Sequence, residues 1–191
     1  MKTKTDSQRA LRQDKTRFLK FISNSVSGTL ILALVAVGLL IAIPHANGDP
    51  NICAADQNFI LTAIQGGMAE VRLGEMARLQ GKRDDVKEFG RMMVKDQASL
   101  NDDLKTLAVQ KGLTVPDSLD VKHQRMVDKM ADLRGSEFDN AYIAGMIKDH
   151  TEAGEEFRAE SAATKDADIK SVVDKSMLVV NAHLKRITSM Q

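Results

Sequence analysis

DDVKEFGRMMVKDQASLNDDLKTLAVQKG, residues 84 to 112, is the stretch that decides the fold. Val86, Phe89, Met93, Gln97, Leu100, Leu104 and Leu107 recur every three or four residues, the period of one face of an α-helix. Asp84 or Asp85 can cap its start, with Glu88 three residues after Asp85 as in a capping box, and Gly112 can end it. Between residues 49 and 191 there is no alternating β-branched run and no Asn-Gly or Asp-Gly hairpin signal, so nothing competes with the helical reading.

The same period continues on both sides. From Asp56 to Gln80, Phe59, Ala63, Gly66, Glu70, Gly74 and Ala77 share a face, and Gly81 follows as a stop. After the loop Leu113 to Ser118, a shorter amphipathic stretch from Asp117 or Ser118 carries Val121, Met126, Met130 and Leu133 to Gly135. A third long helix from Ser136 places Phe138, Tyr142, Met146, His150, Ala153 and Phe157 in line. A last one from about Asp166 uses Ile169, Val173, Ser176, Val180, His183 and Ile187. All three prolines, Pro44, Pro50 and Pro116, lie at boundaries. The expected fold is all-α: an up-and-down bundle of four long helices plus a short crossover helix over residues 56–191. Its expected core is Phe59, Phe89, Leu100, Tyr142, Met146, Phe157, Val173 and Val180. Sliding the second long helix by 53 residues onto the third matches Met93-Val-Lys-Asp-Gln97 with Met146-Ile-Lys-Asp-His150 and Phe89 with Tyr142. The shared Met, Lys and Asp go beyond what period alone forces, and suggest two halves with one layout.

Toward the N-terminus the chemistry changes. Val26 to Ile43 is an 18-residue apolar run, about 27 Å as a helix, preceded by seven cations between Lys2 and Lys20 against Asp6 and Asp14. The cationic flank predicts a cytoplasmic N-terminus, and Ala46-Asn47-Gly48 resembles a signal-peptidase site that would leave Asp49 first. A cleaved signal peptide and a retained single-pass anchor both fit residues 1–48, followed by a linker over 49–55. Either way the folded part is expected outside the cytoplasmic membrane, in a periplasm, with the membrane as a partner only through an uncleaved leader. Of the 27 basic and 26 acidic residues, 20 and 24 remain after the leader, about −4 in net charge. That balance excludes nucleic-acid binding driven by bulk charge. The single cysteine, Cys53, allows no intrachain disulfide and no covalent c-type haem, so packing must hold the fold.

Four polar side chains fall on faces that should point inward: Glu70, Gln97, His150 and His183. Counted from the expected helix starts, the first three lie about 20 Å along their helices and His183 about 25 Å, so antiparallel neighbours would bring them near one level. A buried carboxylate and two imidazoles are costly unless they pair or bind something. One reading is a metal site holding a first-row transition ion at Glu70, His150 and His183, with Gln97, Asp96 and Asp149 around it. The other is a hydrogen-bonded cluster with no cofactor, in which Glu70 pairs with a histidine and Gln97 closes the network. The Glu-x-x-His pair of di-iron carboxylate proteins is missing, since Ile147, Val180 and Val94 stand three residues before His150, His183 and Gln97. No catalytic residue is legible and the chain is not expected to be an enzyme. Non-covalent haem has no supporting spacing, and the ten methionines read as core filler rather than soft Cu(I) ligands. His123, between Lys122 and Gln124-Arg125, is expected to face solvent. Gly66-Gly67 inside a helix implies close packing, a kink or room for a ligand beside Glu70.

Several motifs together resemble the bacterial exported ferritin-like family known as domain of unknown function 4142. They are Asp56-Gln-Asn-Phe59 leading into Glu70-Val-Arg-Leu-Gly74-Glu-Met-Ala77, Val86-Lys-Glu-Phe89 with Met93-Val-Lys-Asp96, Phe138-Asp139-x-x-Tyr142 with Asp149-His150, and His183-Leu184. The resemblance covers nearly all of residues 56–190 and implies a ferritin-like helical bundle exported from a bacterium, with no established activity. Where that family commonly carries Asp-His, this chain has Asp96-Gln97, one imidazole fewer. The expected function is a non-enzymatic binding or structural protein of the cell envelope. The alternative is a metal-binding protein, in storage or oxidative-stress defence, that uses the mid-bundle Glu/His cluster.

Overall fold

The computed structural model describes residues 52–191, so the expected leader helix over residues 26–43, the cleavage point and residues 49–51 lie outside the described residues. Five helices follow in order: α1 (Ala54–Gln80), α2 (Asp84–Gln110), α3 (Val121–Ala131), α4 (Gly135–Ala163) and α5 (Ala167–Thr188). Among the described residues there is no strand, only an isolated bridge between Gly81 and Gly135. No described helix is long and apolar enough to cross a membrane.

Local chemistry explains most boundaries and corrects two. Asp166, where the sequence placed the start of the last helix, caps α5 by accepting the Asp168 and Ile169 N–H groups. Gly112, at φ 71°, closes α2 with the Leu113 N–H donating to the Ala108 carbonyl. The expected capping box at the start of α2 does not form. Asp85 pairs with Arg83 at 2.6 Å and accepts the Val86 N–H at 2.9 Å, while Asp139 of α4 accepts the Lys82 and Arg83 N–H groups just before the helix at 3.0 and 2.9 Å. The crossover helix starts later than expected, at Val121, because Asp120 rather than Asp117 or Ser118 caps it.

The three-residue link from 81 to 83 folds α2 back along α1. Gln65 donates to the Ser118 carbonyl and Arg72 to Gln124 Oε1, so α3 runs beside α1 in the same direction and returns the chain to the far end. There α4 starts next to Gly81, and it ends where Thr164 Oγ1 donates to Asp56 at the start of α1. α1 therefore lies against α2 and α4, α5 lies against the same two helices, and α3 rests on α1 and α4. α1 and α2 meet without intervening side chains: a Cβ on Gly74 would stand 2.8 Å from the Gly90 carbonyl oxygen, and one on Gly90 2.6 Å from that of Gly74.

The core forms two apolar clusters. One gathers Leu73, Ala77, Val86, Phe89, Met93, Phe138, Tyr142, Met146 and Ile187, with Phe89 set edge-on to Tyr142 at 6.1 Å. The other gathers Ile60, Ile64, Leu104, Leu107, Ile169 and Val173. On each long helix the gap between clusters falls at buried polar residues: Glu70, Gln97 with Asn101, His150, and Ser176 with His183. Methionines 76, 92, 126 and 130 pack against the first cluster, where their unbranched chains fill irregular gaps. Six of the eight expected core residues are buried. Phe59 and Phe157 are half-buried and pair edge to face at 5.0 Å, because the first half of α1 turns Ile60 and Ile64 inward instead.

Candidate metal centre

Three potential ligands converge in the polar layer. One carboxylate oxygen each from Glu70 on α1 and Asp149 on α4, and one ring nitrogen of His150, lie within 4.8 Å of one another. His150 is fully buried, and its Nδ1 is 3.0 Å from the Met146 carbonyl oxygen one turn back. A carbonyl only accepts, so Nδ1 carries the hydrogen and the neutral ring keeps its lone pair on Nε2. Nε2 stands 3.6 Å from Glu70 Oε1, too far for a hydrogen bond, and has no other partner.

Electrostatics set the resting protonation. Burial, then the charge of Asp149 and a hydrogen bond with it, hold the Glu70 carboxyl well above the usual carboxylate range. Glu70 therefore holds its proton more tightly than a free carboxyl does. Burial pushes His150 down to about 4, against a weaker upward pull from Asp149. The resting site thus joins two carboxyl groups to a neutral imidazole with its lone pair unused.

His183 is also buried, its ring centroid 5.5 Å from that of His150 in an edge-on contact. Its Nε2 is 3.0 Å from Asp96 Oδ2, while its Nδ1 is buried without a partner. The structure thus brings Glu70 directly to His150, sets His183 behind the His150 ring, and occupies one His183 nitrogen with Asp96. Asp149, one residue from His150 and about 100° around the helix, stands beside Glu70 rather than at a distance. It does so because the polar layer opens to one side, between α1 and α4, where Asp149 borders the opening and His150 stays buried behind it.

The opening is a cleft of about 460 Å³ lined by Glu70, Gln97, Asp149, Phe59, Phe157 and Gly66 among others. Gly67 makes room for Asn101 of α2, whose side chain sits where a Cβ would be. Gly66 leaves the floor of the cleft bare. His123 lines the same cleft and is only 5% exposed, which overturns the expectation that it faces solvent. Its charged sequence neighbours hid the fact that α3 lies over the cleft.

The two shifts oppose one another in pH. Glu70, raised in the fold, contributes stability that is present below its ordinary value of 4.5 and lost as the pH rises toward its folded value. His150, lowered from 6.5 to about 4, contributes stability that is present above 6.5 and lost as the pH falls through that window. From pH 7 to 4.5 the histidine should remove about 2–3 kcal/mol, at 1.36 kcal/mol per unit. Urea midpoints for wild type and His150→Gln at those two pH values check this. The difference between the proteins should shrink on the acid side, and parallel curves would show that His150 is not the titrating group.

The profile of a family described as "Domain of unknown function (DUF4142)" matches residues 42–190. No curated protein matches the chain. Among solved structures, CopM in its Cu(I)-bound form is similar at a TM-score of 0.60 and 21% identity, covering 71% of this chain and 94% of that one. Its Cu(II)-bound form gives 0.60 and 22% over the same shares. The co-crystallised silver form gives 0.58 and 21%, over 71% and 93%. At this identity the likeness establishes a shared helical-bundle fold.

Proposed function

The chain belongs to the DUF4142 family, and on that premise we propose that it is a non-enzymatic metal-binding protein acting outside the cytoplasmic membrane. It holds one divalent first-row ion between Glu70, Asp149 and His150. The observation that carries this reading is the His150 Nε2 atom, fully buried, aimed at Glu70 and without a hydrogen-bond partner. A hydrogen-bonded cluster would leave no such atom, since an unmet buried nitrogen costs about 1–3 kcal/mol. The bundle resembles one solved with Cu(I), Cu(II) and silver, which supports a cation as the ligand class. The donors here are two carboxylate oxygens and an imidazole, which suit Zn(II) or Cu(II) rather than Cu(I) or silver, and Cu(II) would bind most tightly of the divalent ions. His183 and Asp96 fix the far side of the His150 ring. The residues three before His150 and His183 are Ile147 and Val180, so the Glu-x-x-His ligands of oxygen chemistry are lacking, which favours binding over turnover.

Calorimetric titration of chelator-stripped, untagged protein with zinc tests the proposal. One ion per chain should bind, held by the Glu70, Asp149 and His150 ligand atoms. Affinity should fall as the pH falls, since proton and metal compete for the same carboxylates. Absence of stoichiometric binding overturns the reading.

A further inference from the structure

His123 is the single buried residue of α3. Met126, Val127 and Met130 pack α3 against the first apolar cluster, yet the side chain of this helix most withdrawn from solvent is an imidazole. Asp120, which caps the helix by accepting the His123 N–H at 2.8 Å, also lies 2.9 Å from His123 Nδ1. The capping hydrogen bond keeps the Asp120 carboxyl below the usual range, so it is the acceptor and Nδ1 the donor. That leaves the lone pair of the neutral ring on Nε2, and a carboxylate orienting an imidazole in this way is the usual support behind a metal-bound histidine. Nε2 has no hydrogen-bond partner among the described residues and stands 3.6 Å from where Gly66 would carry a Cβ, at the bare floor of the cleft.

The register of α3 sets the height. With Ser118 beside Gln65, Gln124 beside Arg72 and the His123 ring against Gly66, residue 123 stands within about one helical turn of Glu70 along α1. Glu70, Asp149 and His150 supply three ligands, and a closed tetrahedral site needs four. Resting on the metal-binding reading above, we propose that His123, held by Asp120, is the fourth ligand, delivered by α3 as it closes over the cleft onto a bound divalent cation. His123 is outside the group of atoms within 4.8 Å, so closure requires α3, which rests on α1 and α4, to move inward.

The test uses Cu(II) as probe and the full chain, comparing wild type with His123→Ala and Asp120→Asn. Electron spin-echo spectroscopy should count two imidazoles on copper in the wild type and one in His123→Ala, with affinity lowered about 10–100-fold. Asp120→Asn keeps a competent helix cap and the imidazole, so it should retain two imidazoles with a smaller loss of affinity. Amide exchange across residues 121–131 should slow on adding copper in wild type and not in His123→Ala. Two imidazoles still counted on copper in His123→Ala, with exchange slowed by copper as in wild type, overturn this inference while leaving the three-ligand site standing. Failure of the wild type to bind copper overturns both. If His123→Ala unfolds, Asp120→Asn decides: affinity and exchange equal to wild type overturn the assignment.

Discussion

Replacing His150 with alanine should lower zinc or copper affinity at least about 100-fold and abolish the stabilisation that metal gives the wild type. Stabilisation by a bound ligand follows RT ln(1 + [L]/Kd), about 2.7 kcal/mol at one hundred times Kd, and disappears when Kd rises above the free metal concentration. His150 contributes the only imidazole of the three converging ligands, and its Nδ1–H to the Met146 carbonyl has already selected the tautomer that presents Nε2. The metal-free variant has two opposing changes. It loses a fully buried ring that packs against His183, and it removes an orphaned nitrogen from the core. Urea midpoints with chelator and with added zinc separate these effects. A wild-type midpoint indifferent to metal would remove the case for the site. A metal-induced rise that survives in His150→Ala would move the site elsewhere.

Gly90→Val should cost about 3 kcal/mol or more, in metal-free and metal-loaded protein alike. A Cβ on Gly90 would meet the Gly74 carbonyl oxygen at 2.6 Å, the Ala77 Cβ at 2.8 Å and the Arg78 backbone nitrogen at 3.2 Å. Backbone cannot swing aside as a long side chain can, so α1 and α2 must separate, and overpacking of this kind commonly costs 1–3 kcal/mol even for a methylene or two. The gain in helix propensity on leaving glycine, at most about 1 kcal/mol, does not offset it. Gly154 gives the opposite expectation from the same helix chemistry. Its nearest neighbour would be Asn181 Oδ1 at 3.9 Å, ordinary contact, so Gly154→Ala should raise stability by about 0.5–1 kcal/mol. Thermal or urea melts of the two variants check the contrast, and a tolerated Gly90→Val would mean that α1 and α2 do not cross at these glycines.

The sites differ in how far they can be read from residue order. Val86, Phe89, Met93, Leu100, Leu104 and Leu107 name their own helix because a 3.6-residue period is local, and all six are buried as the stripe requires. The burial of Glu70, Gln97, His150 and His183 follows from the same stripes, since a polar residue in an apolar row goes where the row goes. Asp149 and His123 do not obey that logic. Asp149 lies off the stripe, and it reaches Glu70 only because α1 and α4 part beside it. His123 sits among charged residues, and its burial depends on α3 lying over Gly66.

By itself, then, the order of residues determined the helical class, the four long segments, most of their ends and most of the side chains that are buried. These depend on period, glycine and capping chemistry within a turn or two of each residue. Only the tertiary structure decided that the polar residues form a layer between two apolar clusters, that Asp139 meets the Lys82 and Arg83 donors just ahead of α2, and that Asp149 and His123 face one cleft. Those facts depend on how far apart two helices stand and how each is turned about its axis. Distances of that kind are set by pairs such as Gly74 with Gly90, whose partners are remote in sequence.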